Sequence, residues 1–189
     1  MKSKIAEFQS VLSLEAFLQG PETRPYTEYV NGQVIQKPMP QGAHSLLQIR
    51  LGMAINGVGL PQKLAYGFTE LRCTFGGRSV VPDLCIFRWD RIPRTPEGRI
   101  ANRVERVPDW VVEILSPDQS PNQVMEKVIF CLRQGGELGW LIDPQDESVM
   151  ILQGDRLPVI QTGPDPLTVL PCLPQLQLSA QELFSWLNP

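Results

Sequence analysis

The sequence predicts an α/β fold in one domain, because helix-like and strand-like patterns alternate along its 189 residues. Residues 42–57 carry apolar side chains at the spacing of one helical face. Residues 110–115 and 140–144 are nearly continuous apolar runs, which is typical of strands buried on both faces. No repeat or linker divides residues 1–189, and this length suits one sizeable core.

Turn and cap signals mark the elements in the first half of the chain. Residues 13–18 have the pattern of a short helix that ends at a Gly-Pro pair. Asn31-Gly32 lies between β-forming residues and predicts a hairpin over residues 28–35. Residues 64–75 and 78–88 are predicted to form two strands joined at a pair of glycines.

The second half of the chain begins with a predicted loop, residues 89–106, which combines prolines with arginines. Ser120 and Gln123 form a capping box, with proline at the first helical position, and predict a helix over residues 121–134. Two further strands and a final helix are expected at residues 149–152, at residues 157–160 and after the capping box of Ser179 and Glu182.

The composition argues against several classes of protein. The net charge is −3, whereas a protein that binds DNA through a broad basic face carries excess positive charge. No apolar run approaches the roughly 18 to 20 residues that span a bilayer, and the basic residues 1–4 begin a poor signal peptide. We therefore expect a cytoplasmic protein without membrane contact. The four cysteines include no C-x-x-C pair, which predicts buried free thiols.

Two acids lie inside otherwise apolar segments, Asp83 within residues 80–87 and Glu113 within residues 110–115. Burying an unpaired carboxylate is expensive, so two such acids on core strands predict a cation shared between them. Oxygen ligands select Mg²⁺ or Mn²⁺ over zinc. A cation held in this way can polarise a phosphodiester and activate a water, which is the chemistry of a nuclease.

Plainer interpretations of both acids stay open. Asp83 follows Pro82, and an acid after proline is also typical of a turn or a strand end. Glu113 is alternatively one half of a structural ion pair with Lys127, which would use the same residues without catalysis.

The motifs, taken in order, resemble those of one known family. Pro82-Asp83 is followed by Val112-Glu113-Ile114-Leu115-Ser116-Pro117, then by Lys127, then by Trp140-Leu141-Ile142-Asp143-Pro144. This series is similar to that of the Uma2 family (DUF820), endonucleases of the PD-(D/E)XK, or restriction-endonuclease-like, superfamily. The likeness covers most of the chain and includes the predicted hairpin and His44 at the start of the next helix.

The resemblance implies roles for particular residues. Asp83 matches the Asp of the PD motif, and Glu113 matches the acid of the (D/E)XK half-motif, so both are implied metal ligands. Leu115 stands where the motif places its lysine, and Lys127 matches the position to which the family moves it. At helical spacing, Lys127 lies at the edge of the inner stripe and can reach back toward Glu113. Two further acidic positions of the family, implied as additional ligands, are matched by Glu28 and Glu70.

Positive charge is concentrated in the predicted loop. Six of the twelve arginines lie within residues 88–106, together with three acids. The loop connects the two strands that carry the acids, so we expect it near the ends of both. Loop arginines position DNA by contacting phosphates, which predicts DNA contacts at Arg94, Arg99 and Arg103. A solvated connection is the usual role of such a loop, and that alternative stays open.

The leading hypothesis is a Mg²⁺- or Mn²⁺-dependent endonuclease that hydrolyses phosphodiester bonds of DNA and acts as a homodimer. The implied fold is a restriction-endonuclease-like single domain with a mixed central sheet flanked by helices. Catalysis falls to Asp83, Glu113 and Lys127, with the two carboxylates roughly 4 to 6 Å apart and the lysine facing the same cavity. The alternative is an inactive nuclease-fold protein that serves as a DNA-binding or protein-interaction module.

Overall fold

Helices pack on both faces of the larger of two β-sheets. The computed structural model describes residues 12–117 and 119–188, so the basic residues 1–4 lie outside the described residues. The helices are α1 Leu14–Gln19, α2 Gly42–Gly59, α3 Pro121–Arg133 and α4 Ala180–Ser185. The strands are β1 Thr27–Val30, β2 Gln33–Gln36, β3 Ala65–Thr69, β4 Cys73–Phe75, β5 Arg78–Val80, β6 Leu84–Arg88, β7 Trp110–Ile114, β8 Leu138–Asp143, β9 Ser148–Leu152 and β10 Val159–Gln161. Among these helices, none is both long and apolar enough to cross a membrane.

The larger sheet is mixed, as the sequence predicted. Its strand order is β10-β9-β8-β7-β6-β3, and β7 and β8 run parallel while the other neighbours run antiparallel. Helix α3 connects the parallel pair, which needs a long crossover. The smaller sheet, β2-β1-β5-β4, is antiparallel throughout. The sequence did not predict this second sheet.

Alternation along β7 assigns its side chains to two layers. Trp110, Val112 and Ile114 pack in the main core with α2 and α4, whereas Val111 packs with α3. Successive side chains of a strand point to opposite faces, so Glu113 lies on the α3 face together with Val111. The two helical layers confirm the predicted architecture, and they place the acid of β7 beneath α3.

Helix α3 approaches the sheet closely at Gly139 of β8. A Cβ atom at Gly139 would lie 2.2 Å from Val128 Cγ1, so the approach depends on the missing side chain. Val124, Val128 and Cys131 of α3 are buried against the sheet, as its predicted inner stripe requires. The close approach also carries Lys127, the neighbour of Val128, toward the strand that bears Glu113.

The prediction of one continuous strand over residues 64–75 and another over residues 78–88 is wrong in one respect, because each segment forms two strands. The first breaks at Glu70, whose φ of 50° turns the chain out of the larger sheet. The second breaks at Val81-Pro82-Asp83, where proline lacks an N–H for the ladder. Strands β3 and β6 join the larger sheet, while β4 and β5 join the smaller one. Asp83 therefore lies at a crossing between the sheets, one residue before β6.

Most of the remaining local predictions are confirmed. Asn31 and Gly32 form the hairpin turn with φ values of 52° and 81°. Ser179 caps α4 by accepting a hydrogen bond from the Glu182 N–H. The capping box at α3 is wrong, because Ser120 occupies the N-cap position but its side chain makes no capping hydrogen bond.

Candidate metal and catalytic site

Asp83 is buried at the crossing between the two sheets, and three elements hold its carboxylate. Asp83 Oδ2 accepts a hydrogen bond of 2.8 Å from the Ile114 N–H of β7. Asp83 Oδ1 lies 2.6 Å from Lys37 Nζ and 3.4 Å from His44 Nε2. Burial alone would raise the pKa of Asp83, but the Lys37 ammonium and the contact with His44 hold it well below its ordinary value. The carboxylate is therefore ionised at neutral pH.

Glu113 occupies the middle of β7 and is fully buried on the α3 face. Its Oε2 lies 2.8 Å from Lys127 Nζ, while its Oε1 is buried and finds no hydrogen-bond partner among the described residues. Burial raises the pKa of Glu113 to about 8, against the opposing attraction of Lys127. Binding a proton or another cation to the Glu113 carboxylate therefore stabilises the folded protein.

Strand pairing brings the two predicted metal ligands together. Leu84 pairs with Val112 in the antiparallel β6–β7 ladder. Continuing that register by one residue places Asp83 opposite Glu113. Side chains of directly opposed residues share one face of a sheet, with Cβ atoms about 4.5 to 5.5 Å apart. By this extended register the two acids lie on the same face of the sheet.

Lys127 links the two sheets through buried ion pairs. Its Nζ lies 2.8 Å from Glu113 Oε2 and 3.1 Å from Glu28 Oε1. Glu28 Oε1 also accepts a hydrogen bond of 2.7 Å from the Val81 N–H. Burial disfavours the charged amine, but the surrounding carboxylates raise the pKa of Lys127 above its ordinary value. Lys127 thus lies where the family resemblance implies it, and it remains a cation.

The ion pair between Glu113 and Lys127 is the one that the plainer interpretation of Glu113 expected. That pair accounts for Oε2 alone, however. Leaving the second oxygen buried and unpaired within the described part of the chain costs free energy that a purely structural ion pair would avoid.

Lys37 is a site residue that the sequence analysis missed. It follows β2 directly, and its Nζ donates hydrogen bonds to Asp83 Oδ1 at 2.6 Å and to the Val81 carbonyl at 2.7 Å. Burial lowers the pKa of this amine, but the neighbouring carboxylates, above all Asp83, raise it overall. The one signal in the sequence is that Lys37 ends the hairpin that also carries Glu28. The sequence does not reveal which face of that hairpin meets the second sheet.

His44 and Glu70 complete the surroundings of Asp83. His44 lies in the first turn of α2, and its buried ring lies between Asp83 and Ser116, whose Oγ is 3.4 Å from His44 Nδ1. The Glu70 N–H donates to the Asp83 carbonyl at 3.2 Å. Glu70 lines a cavity of about 130 Å³ together with Lys37, His44 and Asp83. The structure thus places Glu70 at the edge of the site, beside Asp83.

The donor set fits a divalent cation on chemical grounds. Three buried carboxylates, Glu28, Asp83 and Glu113, meet two lysine ammonium groups, so the acids outnumber the lysines. Carboxylate oxygens are the ligands that Mg²⁺ and Mn²⁺ prefer. Among the residues that the structure describes, however, no group of three or more His, Cys, Asp or Glu side chains is already arranged around a common ion position. The two lysines stand between the acids.

A groove of about 630 Å³ opens onto this cluster between the β1–β2 hairpin and α3. Glu28, Lys37 and Lys127 line it. Arg78 and Glu126 line its wall as well, where they form an ion pair of 2.9 Å. The remainder is lined by polar side chains that can donate and accept hydrogen bonds and by apolar residues: Gln36, Gln119, Ser120, Asn122 and Gln123, and Val30, Ile35, Pro38, Val80 and Val124. The groove therefore offers both cations and amides to a polar, negatively charged ligand.

The arginine-rich loop does not adjoin this groove. It connects Arg88 at the end of β6 to Trp110 at the start of β7, and these ends lie opposite to the ones that carry Asp83 and Glu113. Asp83 and Arg88 are five residue steps apart along the strand, or about 16 Å. The loop therefore lies near one end of each strand, as expected. These are the ends far from Asp83 and Glu113.

The loop packs on the same face of the sheet as the acids. Its Ile92 and Val104 are buried against Phe87 and Cys85. The side chains predicted to bind DNA are exposed at its surface, namely those of Arg94, Arg99 and Arg103. Arg103 forms a surface ion pair of 2.7 Å with Glu105. Its charge is therefore partly neutralised.

Fold and site together define the restriction-endonuclease-like class, an α/β fold with a mixed sheet and buried acids on neighbouring strands. The family model of Uma2, described as "putative restriction endonuclease", matches residues 14–181. The chain therefore belongs to the Uma2 family.

A solved structure supports the same relation. A protein of Anabaena variabilis, described as a "putative nuclease belonging to DUF820", shares 46% sequence identity with this chain. The match covers 93% of this chain and 98% of that one, with a TM-score of 0.91. No curated protein matches the chain.

Replacing Glu113 with Gln is expected to remove a pH-dependent loss of stability. The pKa of Glu113 rises from 4.5 to about 8 on folding, so between these values the folded state binds more protons than the unfolded state. Wild-type stability therefore falls as the pH rises through that interval, by up to about 1.4 kcal/mol per pH unit. The stability of Glu113→Gln relative to the wild type grows with pH there and levels off above it.

Chemical denaturation in metal-free buffer across this pH range measures the difference. The exposed Glu147→Gln substitution is the matched control, and it should leave the pH profile of the wild type unchanged. A stability difference between Glu113→Gln and the wild type that stays constant with pH would contradict the raised pKa of Glu113.

Proposed function

We propose that the chain is a metal-dependent endonuclease, a single nuclease-like domain that hydrolyses phosphodiester bonds of DNA. The observation that carries this proposal is the buried cluster at the groove, where carboxylates outnumber lysines and Glu113 Oε1 has no partner among the described residues. A proton on Glu113 balances the acids and lysines in the metal-free protein at neutral pH, and a cation that replaces this proton would also give Oε1 a partner. Membership of the Uma2 family supports the nuclease class.

Asp83 and Glu113 are the proposed ligands of Mg²⁺ or Mn²⁺, with Glu28 and Glu70 as additional oxygen donors at the edges of the site. When bound, such a cation polarises the phosphodiester and lowers the pKa of a water that attacks it. The low pKa of Asp83 keeps this ligand ionised, whereas Glu113 must lose its proton before it can coordinate. Metal affinity should therefore rise with pH up to about 8.

Lys127 is proposed to stabilise charge rather than to accept a proton. The carboxylates raise its pKa, so the amine stays protonated and is a poor base. As water attacks phosphorus and the bond to the leaving oxygen breaks, negative charge grows on the phosphoryl oxygens. A fixed ammonium beside them favours that transition state.

DNA is proposed to enter the groove between the β1–β2 hairpin and α3, where Arg78, Lys37 and Lys127 supply positive charge. The arginine-rich loop lies about 16 Å along the same face, a distance of about five base-pair steps of duplex. Its arginines are proposed to contact phosphates away from the cleaved bond. A homodimer with twofold symmetry would present two such sites to the two strands.

We also propose that the protein works in the cytoplasm. Its four cysteines are free thiols, and Cys73 and Cys85 lie with their sulfur atoms 3.7 Å apart without a disulfide. Free thiols are typical of a reducing compartment.

One observation favours the alternative, an inactive member that serves as a DNA-binding or protein-interaction module. The lysines already pair with Asp83, Glu28 and Glu113, and the described residues include no preformed group of metal ligands. Such a cluster is also what a metal-independent module would retain for stability. The two proposed functions differ in whether the protein cleaves DNA.

Cleavage of supercoiled plasmid DNA tests the proposed chemistry. The wild type should cleave when Mg²⁺ or Mn²⁺ is present and stop when the metal is chelated. Asp83→Asn, Glu113→Gln and Lys127→Met should each lower the rate by at least about 100-fold. Glu147→Gln is the control and should leave the rate unchanged. A folded wild type that binds DNA without cleaving it under any of these metals would establish the inactive alternative.

The groove and the loop are distinguished by comparing Arg78→Ala with the triple variant in which Arg94, Arg99 and Arg103 are each replaced by Ala. Arg78→Ala should lower the single-turnover rate, because Arg78 lines the proposed path of the substrate together with Glu28 and Lys127. The triple variant should weaken binding about equally across sequences and keep the rate of bound substrate. Its log–log salt slope should flatten by about 0.9 per lost phosphate contact.

Equilibrium titrations at several salt concentrations and single-turnover assays give the two readouts. Unchanged affinity and an unchanged salt slope in the triple variant would leave the loop as a plain connection. An unchanged single-turnover rate in Arg78→Ala would argue against the groove as the path of the substrate.

A further inference from the structure

Lys37 occupies an unusual position between two cavities. It lines both the groove of about 630 Å³ and the cavity of about 130 Å³ that contains Asp83, His44 and Glu70. Its side chain is 11% exposed, and its ammonium binds Asp83 Oδ1 at 2.6 Å and the Val81 carbonyl at 2.7 Å. The ammonium of Lys37 thus separates Asp83 from the groove.

We propose that the Lys37 ammonium holds the place of a divalent cation on Asp83 and is displaced when the metal binds. This inference rests on the proposed function, because it concerns the same metal site. It makes Lys37 a positioning residue: in the metal-free protein it neutralises Asp83, and it competes with the metal for the same carboxylate oxygen.

The competition follows from the contacts of Asp83. Its Oδ2 accepts a hydrogen bond from the Ile114 backbone N–H, whereas its Oδ1 meets only side chains, Lys37 Nζ at 2.6 Å and His44 Nε2 at 3.4 Å. Oδ1 is therefore the oxygen that a cation can reach by displacing a side chain. Oδ1 is the oxygen that Lys37 contacts. A Mg²⁺ ion binds a carboxylate oxygen at about 2.0 to 2.1 Å, so an ion on Oδ1 would stand against the ammonium. Two like charges at such a separation repel each other strongly in a buried site.

The second lysine differs from Lys37 in its anchoring. Lys127 lies within α3 and pairs with Glu28 and Glu113 from two different strands. Lys37 instead follows the end of β2, next to the exposed residues Gln36 and Met39. Its flexible stem of four carbons can turn into the groove whose wall it already forms. Displacement is therefore expected of Lys37, while Lys127 stays in place.

Measuring Mn²⁺ affinity tests this inference without any assay of cleavage. Isothermal titration with Mn²⁺ is carried out on the wild type, on Lys37→Met and on Lys63→Met, an exposed lysine that serves as the control. Removing the competing charge should tighten Mn²⁺ binding by about 10-fold or more in Lys37→Met. Lys63→Met should bind as the wild type does. Asp83→Asn should abolish binding in both the wild-type and the Lys37→Met backgrounds.

Thermal unfolding gives a second readout and guards against a folding defect. Without metal, Lys37→Met leaves Asp83 buried with less positive charge and should unfold at a lower temperature. Mn²⁺ should then raise its melting temperature by more than it raises that of the wild type. Lys37→Gln, which keeps a donor for the Val81 carbonyl, should behave in the same direction if Lys37→Met does not fold.

The outcomes separate this inference from the proposed function. If the wild type binds Mn²⁺ through Asp83 and the Lys37 variants bind it equally or more weakly, the competition is overturned while the metal site stands. If only the Lys37 variants bind Mn²⁺ measurably, the inference is supported in its strongest form. If no variant binds Mn²⁺, the metal-dependent function fails together with the inference.

Discussion

The structure depends on one physical constraint, the burial of three carboxylates beside two lysines where the two sheets meet. Glu28 comes from the smaller sheet, Glu113 from the larger one, and Asp83 from the crossing between them. Lys127 joins the first two acids through α3, and Lys37 neutralises the third. An ionised group in such a place requires a partner, so the positions of the hairpin, α3 and the larger sheet are coupled through these ion pairs. The site is therefore also a structural joint of the fold.

This arrangement sets stability against function. Because the pKa of Glu113 is raised to about 8, the folded protein holds a proton on this side chain at neutral pH, whereas the unfolded chain releases it. In addition, Glu113 Oε1 is buried without a hydrogen-bond partner among the described residues. A core built for stability alone would replace Glu113 with an apolar or amide side chain. Retaining an acid with these properties behind Lys127, which lines the groove, is typical of a site that receives a cation or a reacting group.

The sequence predicted those residues of the candidate site that stand out from their immediate neighbours. Glu113 stood out because apolar residues surround it, and the family resemblance supplied Lys127, since a helical lysine is otherwise unremarkable. Lys37 and the contacts of His44 were missed because they depend on how the hairpin meets the second sheet, a pairing between segments far apart in sequence. Which ends of the two strands the loop at residues 88–106 adjoins could not be predicted for a related reason. Adjacency to β6 and β7 is evident from the sequence, but the strand direction that separates Asp83 from Arg88 becomes visible only in the register of the sheet.

The most direct measurement of the central claim is a crystal structure of the protein soaked in Mn²⁺, with the ion located by its anomalous scattering. We expect a peak bound by carboxylate oxygens of Asp83 and Glu113, with Lys127 still beside Glu28 and Lys37 no longer in contact with Asp83 Oδ1. A crystal that takes up Mn²⁺ elsewhere while both lysines keep their contacts with the acids would contradict it. The cluster would then be a structural joint alone, without a metal.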